Sequence, residues 1–457
     1  MASKIVTSHH NLSVELTETL KLALPMLLTH IGQIVMTTTD LALAGRLGAD
    51  ALAAAALAGR VYIISVTFGV GLLAAIGPVA AEAFARGNLG VARRSLRMGM
   101  WAGLLLSLPM VAFALHGEEI LLAFDQDSGL ARLAQQYLFG LAGGVAPMLW
   151  FQAIRNFMAA VNRPEPVLWV TLTAIPLNGL LGYMLVYGKF GLPRLELFGL
   201  GLATTLVNCG MFSASFCFAR MRRPFRAYNL FADFWRVDWC LMRHLGVIGT
   251  PIAVASLLGF GLFSAAALLA GRISTSAVAA HQIAFQVAAI LFTVSFGLGV
   301  AATVRVSHAV GRNDGHGIRR AGLVAMLLGF IVSAFLTGVV IVARFKIANL
   351  FLGDSDADTE ATLGLAAKLL LVGASFFVSD AIAHVAAGSL RGLKDTRSAL
   401  LFAFLAYWLI GYSVSYVLGL QIGLGAVGIW IGLSVGTSIY AGLLVLRFHR
   451  LSSRLVL

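Results

Sequence analysis

Charge is what this chain has least of. Only 12% of its 457 residues are Asp, Glu, Lys or Arg, against about 25% in a soluble domain. Acids are scarcer still, with 20 Asp and Glu against 33 Lys and Arg. A chain that is 59% hydrophobic cannot hide so much apolar surface from water. Long apolar runs of this kind need lipid around them, so an integral membrane protein is expected. Cysteine is nearly absent. Cys209, Cys217 and Cys240 are too few for a disulfide framework and have no histidines at metal-ligand spacing. Catalytic signatures are missing too: there is no P-loop, no H-E-x-x-H and no G-x-S-x-G. These absences argue against an enzyme, against a bound cofactor and against ATP as the direct energy source. An ion gradient is the remaining drive, worth about 2.3 kcal/mol per elementary charge per 100 mV.

What is present, first, is a repeat. Pro25–Ala58, with L-A-G-R at Leu43–Arg46, aligns without a gap on Pro251–Ala284, with L-A-G-R at Leu269–Arg272. The offset is 251 − 25 = 226 residues, about half the chain. It persists downstream, placing Arg93-Arg94 on Arg319-Arg320, Gly103 on Gly329 and Ser107 on Ser333. Duplicated apolar units are a mark of transporters.

Twelve spans are expected, at 17–43, 52–81, 95–115, 131–160, 166–187, 197–219, 245–270, 278–308, 321–343, 361–390, 398–419 and 423–446. The fold class is therefore all-α and membrane-integral, with six spans in each of two parallel repeats. The halves are 1–219 and 244–457, joined by a linker over 220–243. Pro25 and Pro251 are expected kink sites in the first helix of each half. The apolar run after the polar N-terminus reads as an uncleaved first helix rather than a signal peptide.

The net charge of +13 comes from basic residues lying between apolar segments, so topology explains it better than nucleic acid does. Arg86, Arg93, Arg94 and Arg97 follow the second span. The mid-chain linker, Arg312–Arg320, Arg391–Arg397 and Arg447–Arg454 fall on the same side. Glu118, Glu119, Asp125 and Asp127, and Asp354, Asp356, Asp358 and Glu360, fall on the other. The positive-inside rule then makes both termini and the linker cytoplasmic. Trp235 and Trp239, with arginines nearby, suggest a segment at the headgroup level.

Two acids lie inside spans, Asp40 in the first and Asp380 in the tenth. An embedded carboxylate costs about 2.5–3.5 kcal/mol at a helix centre, so it is kept for a cavity, an ion or a partner. Neither acid is duplicated: Asp40 aligns with Ala266, and Asp380 falls near Gln152. Thr37 and Gln33 share the Asp40 helix. Pro176 and Asn178 bring a helix break and an amide to the fifth span, where such amides also serve simply to join helices. Arg155, late in the fourth span, is expected to snorkel to the cytoplasmic surface. His384 sits four residues after Asp380, which suits either a proton relay or a plain hydrogen bond. His281, Gln282 and Gln286 form a polar entry to the eighth span, with His281 either a ligand or a packed residue. Phe376, with Phe377, either lines a cavity for amphipathic substrates or packs helices.

Leu22–Gly48 (L-A-L-P-M-L-L-T-H-I-G-Q-I-V-M-T-T-T-D-L-A-L-A-G-R-L-G) resembles the first helix of multidrug and toxic compound extrusion (MATE) transporters. A-A-H-Q-I-A at Ala279–Ala284 resembles the same family. D-A-I-A-H-V-A-A-G-S-L-R-G-L-K-D at Asp380–Asp395 is similar to the NorM-like bacterial branch. The resemblance covers essentially the whole chain. It implies two six-helix lobes forming a V in the bacterial inner membrane, acting as a monomer. It implies export of cationic, amphipathic drugs or dyes in exchange for protons or sodium ions. Asp40 matches the acid of the N-terminal lobe, Asn178 a polar cavity position, and Asp380 the acid of the C-terminal lobe where the coupling cation binds.

The chain departs from that branch in the seventh helix. The usual glutamate is Gly259 here, and a frequent tyrosine four residues before the tenth-helix acid is Phe376. Sodium prefers several oxygen ligands, so proton coupling through Asp40 or Asp380 is expected, with sodium near Asp380 as the alternative. A flippase for lipid-linked sugars or lipids, of related architecture, is the other transport reading. A non-transporting scaffold or receptor is a third, and embedded acids on a duplicated frame argue against it. A major-facilitator carrier lacks support because Arg86–Arg97 does not match that family's loop.

Overall fold

The computed structural model describes residues 12–124, 126–189, 191, 193–222, 225, 235–352 and 357–455. Asp125, Asp354, Asp356 and most of 223–234 lie outside the described residues, as does the Asp358 side chain. Among the described residues every regular element is helical.

The first half runs α1 (Leu12–Gly45), α2 (Ala49–Leu73), α3 (Ile76–Ala85), α4 (Leu89–Leu115), the short α5 (Gly117–Ala123), α6 (Ser128–Ala142), α7 (Val145–Ala160), α8 (Glu165–Tyr187) and α9 (Glu196–Met221). The second runs α10 (Trp239–Gly271), α11 (Thr275–Gly311), α12 (Gly315–Leu352), α13 (Ala357–Gly392), α14 (Thr396–Ala403), α15 (Ser413–Tyr416) and α16 (Gly425–Arg454). The residues flanking α15, Phe404–Tyr412 and Val417–Gln421, are π-helical. Side chains set several of these starts. Asn88 accepts from Val91 N at 3.1 Å, Asp127 from Leu130 N at 3.1 Å and Ser274 from Ala277 N at 3.0 Å. Each satisfies an amide that a helix N-terminus leaves unpaired.

Among the described residues eleven stretches are long and apolar enough to cross a membrane, and α6 with α7 supplies a twelfth. The expected span 131–160 is therefore not one rod. It is bent by 52° between Ala142 and Val145. The break falls at Gly143-Gly144, where two glycines weaken the helical path. Thr205 Oγ1 donates to Gly140 O at 2.6 Å beside it. Pro25 and Pro251 sit inside helices that continue on both sides.

The chain forms two compact units. One comprises residues 25–265 and 394–409, the other residues 1–24, 266–393 and 410–457. This division by packing differs from the division by repeat. Helix α1 passes from one unit to the other between Leu24 and Pro25, and α10 between Ala265 and Ala266. In the first unit, the start of α10 packs on α3 and α4 through Ala75, Val79, Met98, Leu245, Ile248 and Ile252. A Cβ on Gly71 would lie 2.5 Å from Ala253 Cα, so glycine is what lets α2 and α10 meet. Arg94 Nη1 meets Asp238 Oδ2 at 3.3 Å. In the second unit, Glu15 near the start of α1 is buried and paired with Arg305 of α11 and with Arg320 Nε of α12 at 3.4 Å. Arg94 and Arg320 are 320 − 94 = 226 residues apart. The two copies thus use the same arginine to hold the incoming helix of the other copy.

Within the second unit α13 is central, packing on α11, α12 and α16. It crosses α11 at Gly388 and Gly299, with Thr303 Oγ1 donating to Gly388 O at 2.8 Å. Small residues with a hydroxyl across the contact are a usual means of helix association in lipid.

Candidate functional site

In the first unit Asp40 is 4% exposed, although it is an acid in an apolar span. Helix α9 brings Thr204 to it, and Thr204 Oγ1 donates to Asp40 Oδ2 at 2.8 Å. The other oxygen, Oδ1, is buried with no hydrogen-bond partner. Asn178 of α8 stands close enough to act on the carboxylate. Neither its amide nitrogen nor its oxygen closes a hydrogen bond of ordinary geometry, and both are buried. Tyr137 of α6 is buried and within electrostatic reach of Asp40. Four helices therefore surround one carboxylate whose acceptor capacity is only partly used.

Gln33 and Thr37 lie on the same helix but do different things. Gln33 Oε1 accepts from Arg155 Nη1 at 3.2 Å. Arg155 is 3% exposed, so the expectation that it snorkels to the surface is wrong. A guanidinium that finds an amide acceptor between helices has no need to reach water. Thr37 is exposed and returns its hydroxyl to Gln33 O at 3.1 Å, as Thr38 and Thr39 do to Ile34 O and Val35 O at 2.9 Å.

In the second unit Asp380 and His384 do meet. His384 Nδ1 donates to the Asp380 backbone oxygen at 2.9 Å and lies 3.3 Å from Oδ1. The Asp380 side chain is 15% exposed and that of His384 is 28% exposed. Phe292 stands edge-on to the imidazole, with ring centroids 4.7 Å apart. Tyr440 is buried within electrostatic reach of both Asp380 and Arg391. Ser379, the residue just before Asp380, shares a hydrogen bond of 2.8 Å with Ser438.

The polar entry to the eighth span separates into two faces. His281 is buried, and its Nδ1 accepts from Trp430 Nε1 at 3.2 Å. That bond leaves Nδ1 unprotonated. Phe376 is buried against the same indole, with centroids 5.7 Å apart, and Phe377 joins it at 6.3 Å. Gln282 and Gln286 are exposed on the other face of α11. Gly259 lies on α10, where an added Cβ would meet Tyr407 Cε2 at 3.7 Å, an ordinary contact. Packing therefore does not demand glycine there. Among the described residues no three of His, Cys, Asp or Glu converge as metal ligands would.

Sequence reasoning missed Thr204, Tyr137, Trp430 and Tyr440. Thr204 carries little sequence signal, being one of several polar residues (Thr204, Thr205, Asn208, Ser213 and Ser215) in its span. Trp430, in the second turn of α16, looks in the sequence like an ordinary interfacial tryptophan.

Comparison with known proteins agrees with this architecture. A sequence model described as MatE matches residues 25–184 and 251–417, two stretches that begin one repeat offset apart. The chain is 56% identical to "Probable multidrug resistance protein NorM" of Bradyrhizobium diazoefficiens, covering 98% of this chain and 96% of that protein. It is 53% identical to the protein of the same name from Rhodopseudomonas palustris, covering 96% and 92%. Among solved structures, the eukaryotic MATE transporter AtDTX14 superposes with a TM-score of 0.84 at 21% identity, covering 97% and 98%. An outward-facing multidrug resistance MATE family transporter gives 0.85 at 18% identity, covering 96% of each chain. At those identities the two structures speak for the fold.

Proposed function

The chain belongs to the MatE family of membrane transporters, and on that premise we propose that it is a multidrug efflux antiporter. It exports cationic, amphipathic compounds in exchange for a cation, and that cation is the proton. The observation that carries this reading is the unpartnered Oδ1 of buried Asp40. A buried acceptor left unsatisfied costs about 1–3 kcal/mol, and more when charged. A proton arriving at Oδ1 neutralises the carboxylate and turns that oxygen into a donor, for which the buried, unpaired side-chain oxygen of Asn178 offers an acceptor, while Thr204 continues to hold Oδ2. A cationic substrate offsets the charge differently, by supplying the opposite one. Proton and substrate thus compete for one carboxylate, which is the requirement for exchange. The exchange drives alternating access only if the two states differ in affinity for each ligand.

Sodium is the weaker reading. Gly259 and Phe376 supply no side-chain oxygen, and His384 Nδ1, which donates to the Asp380 backbone oxygen, stands 3.3 Å from Asp380 Oδ1. The relatives' printed name, "multidrug resistance protein", supports the substrate class. The same proposal places the protein in the inner membrane as a monomer. Both termini and the 220–243 linker are cytoplasmic, and 1–219 and 244–457 are its functional halves.

The test is efflux of a fluorescent organic cation from reconstituted vesicles, with pH and sodium gradients imposed separately. A pH gradient alone is expected to drive transport, and a sodium gradient alone is not. Transport on sodium alone, with no response to pH, would sink proton coupling. No response to either gradient would sink the antiport itself.

A further inference from the structure

The first unit carries a second feature that drug exchange does not use. A cavity of about 530 Å³ opens between the first turns of α4 and the start of α10. Arg93, Arg94, Arg97 and Arg236 line it, with Asp238 as the acid among its lining residues, so its formal charge is 4 − 1 = +3. Asp238 is already committed. Its Oδ1 accepts from Leu241 N at 3.1 Å and its Oδ2 from Arg94 Nη1 at 3.3 Å. It has little left for Arg93 or Arg236. The Nε of Arg93 is buried with no hydrogen-bond partner, and Arg236 is exposed. The repeat copy is not built this way. Arg93 and Arg94 recur as Arg319 and Arg320, but Arg97 aligns with Leu323. Tying down a helix therefore needs fewer cations than this cavity holds.

The cavity also sits at a particular depth. The arginines end at Arg97, and the apolar run of α4 begins immediately after it. Trp101 and Trp235 pack edge to face beside it, with centroids 6.0 Å apart. Trp235 is 82% exposed and Trp239 is 70% exposed. Exposed indoles next to arginines at the end of an apolar span mark the level of lipid headgroups.

We propose that this cavity binds the phosphate headgroup of an anionic phospholipid of the leaflet that the basic loops face. Arginine forks suit phosphate oxygens. Trp235 and Trp239 lie where the glycerol backbone and upper acyl chain of such a lipid run. The site is independent of the coupling ion and of Asp40.

Native mass spectrometry of the detergent-purified full-length protein, titrated with phosphatidylglycerol and separately with phosphatidylcholine, tests it. Phosphatidylglycerol is expected to bind in preference. The double change Arg93→Gln/Arg236→Gln is expected to weaken that binding roughly thirtyfold, from about 1 kcal/mol per arginine. Arg93→Lys/Arg236→Lys keeps the charge and is expected to retain most of the binding, which separates lost recognition from lost folding. Arg450→Gln/Arg454→Gln removes two exposed charges from the end of α16 and is expected to change little. Equal binding of the two lipids by the unaltered protein overturns the proposal. So does an equal loss in the α16 variant. Displacement of phosphatidylglycerol by equimolar inorganic phosphate also overturns it, because the cavity would then serve a soluble anion.

Discussion

Asp40 and Asp380 are both acids embedded in helices, yet their surroundings differ in kind. Asp40 is buried, and its hydrogen-bond partner is a neutral hydroxyl from a helix 164 residues away. Asp380 is partly open, and its partner is an imidazole four residues along the same helix. A neutral donor leaves the charge of a carboxylate in place. A titratable neighbour can take up or release the charge itself. Asp40 therefore keeps one carboxylate oxygen without a hydrogen-bond partner, whereas Asp380 has a titratable neighbour beside it. On the exchange reading this makes Asp40 the coupling acid and the Asp380–His384 pair a modulator.

The largest effect expected from breaking this contrast is that of Asp40→Asn. The amide is nearly the same size and keeps an oxygen for Thr204, so the protein is expected to insert and fold. Proton-driven dye efflux from vesicles is expected to fall by more than about tenfold, because the lost charge interaction exceeds roughly 1.4 kcal/mol. Normal efflux in a correctly inserted Asp40→Asn protein would exclude this acid from coupling. A smaller effect is expected for Asp380→Asn. His384 keeps its bond to the backbone oxygen of residue 380, so only the charge partner is lost. Efflux is expected to fall about threefold, in line with one modest net interaction. A fall as deep as that of Asp40→Asn would show that the two acids are equivalent and erase the distinction. The smallest effect on transport is expected from Trp430→Phe. It removes the donor to His281 Nδ1 and leaves a buried acceptor short, a cost of about 1–3 kcal/mol. The thermal midpoint in detergent is expected to drop while efflux per folded molecule stays unchanged. Altered efflux per molecule would mean that the aromatic cluster under α13 does more than support it.

Much of the frame was legible in the residues. Apolar length and charge patterning located the spans, since lipid imposes both constraints at once. The repeat offset located the matching arginines, Arg94 and Arg320, that hold α10 and α1. The bend at Gly143-Gly144 was hidden because hydropathy sums across a break without registering direction. Arg155 was misplaced because its position along the helix says nothing of Gln33, 122 residues earlier. Thr204 was hidden for a chemical reason. Most hydroxyls in apolar helices return to their own backbone, as Thr37, Thr38 and Thr39 do. Nothing in a sequence distinguishes the one that also reaches a carboxylate, as Thr204 reaches Asp40 at 2.8 Å with Leu200 O at 3.3 Å. His281 could be read as packed or as a ligand, and Trp430, 149 residues later, gives it a hydrogen-bond donor.

The passage of α1 between units at Leu24–Pro25 sets a timetable for the newborn chain. Leu12–Leu24 leave the ribosome early, but the rest of their unit begins only at Ala266. Arg305, which pairs with Glu15, is made 290 residues later. The first half is also short of a wall until α10 arrives to cover α3 and α4. Neither half can be completed from its own stretch of message. A ribosome stalled in the 220–243 linker would leave an N-terminal piece with Glu15 unpaired and one side uncovered, a ready target for membrane quality control.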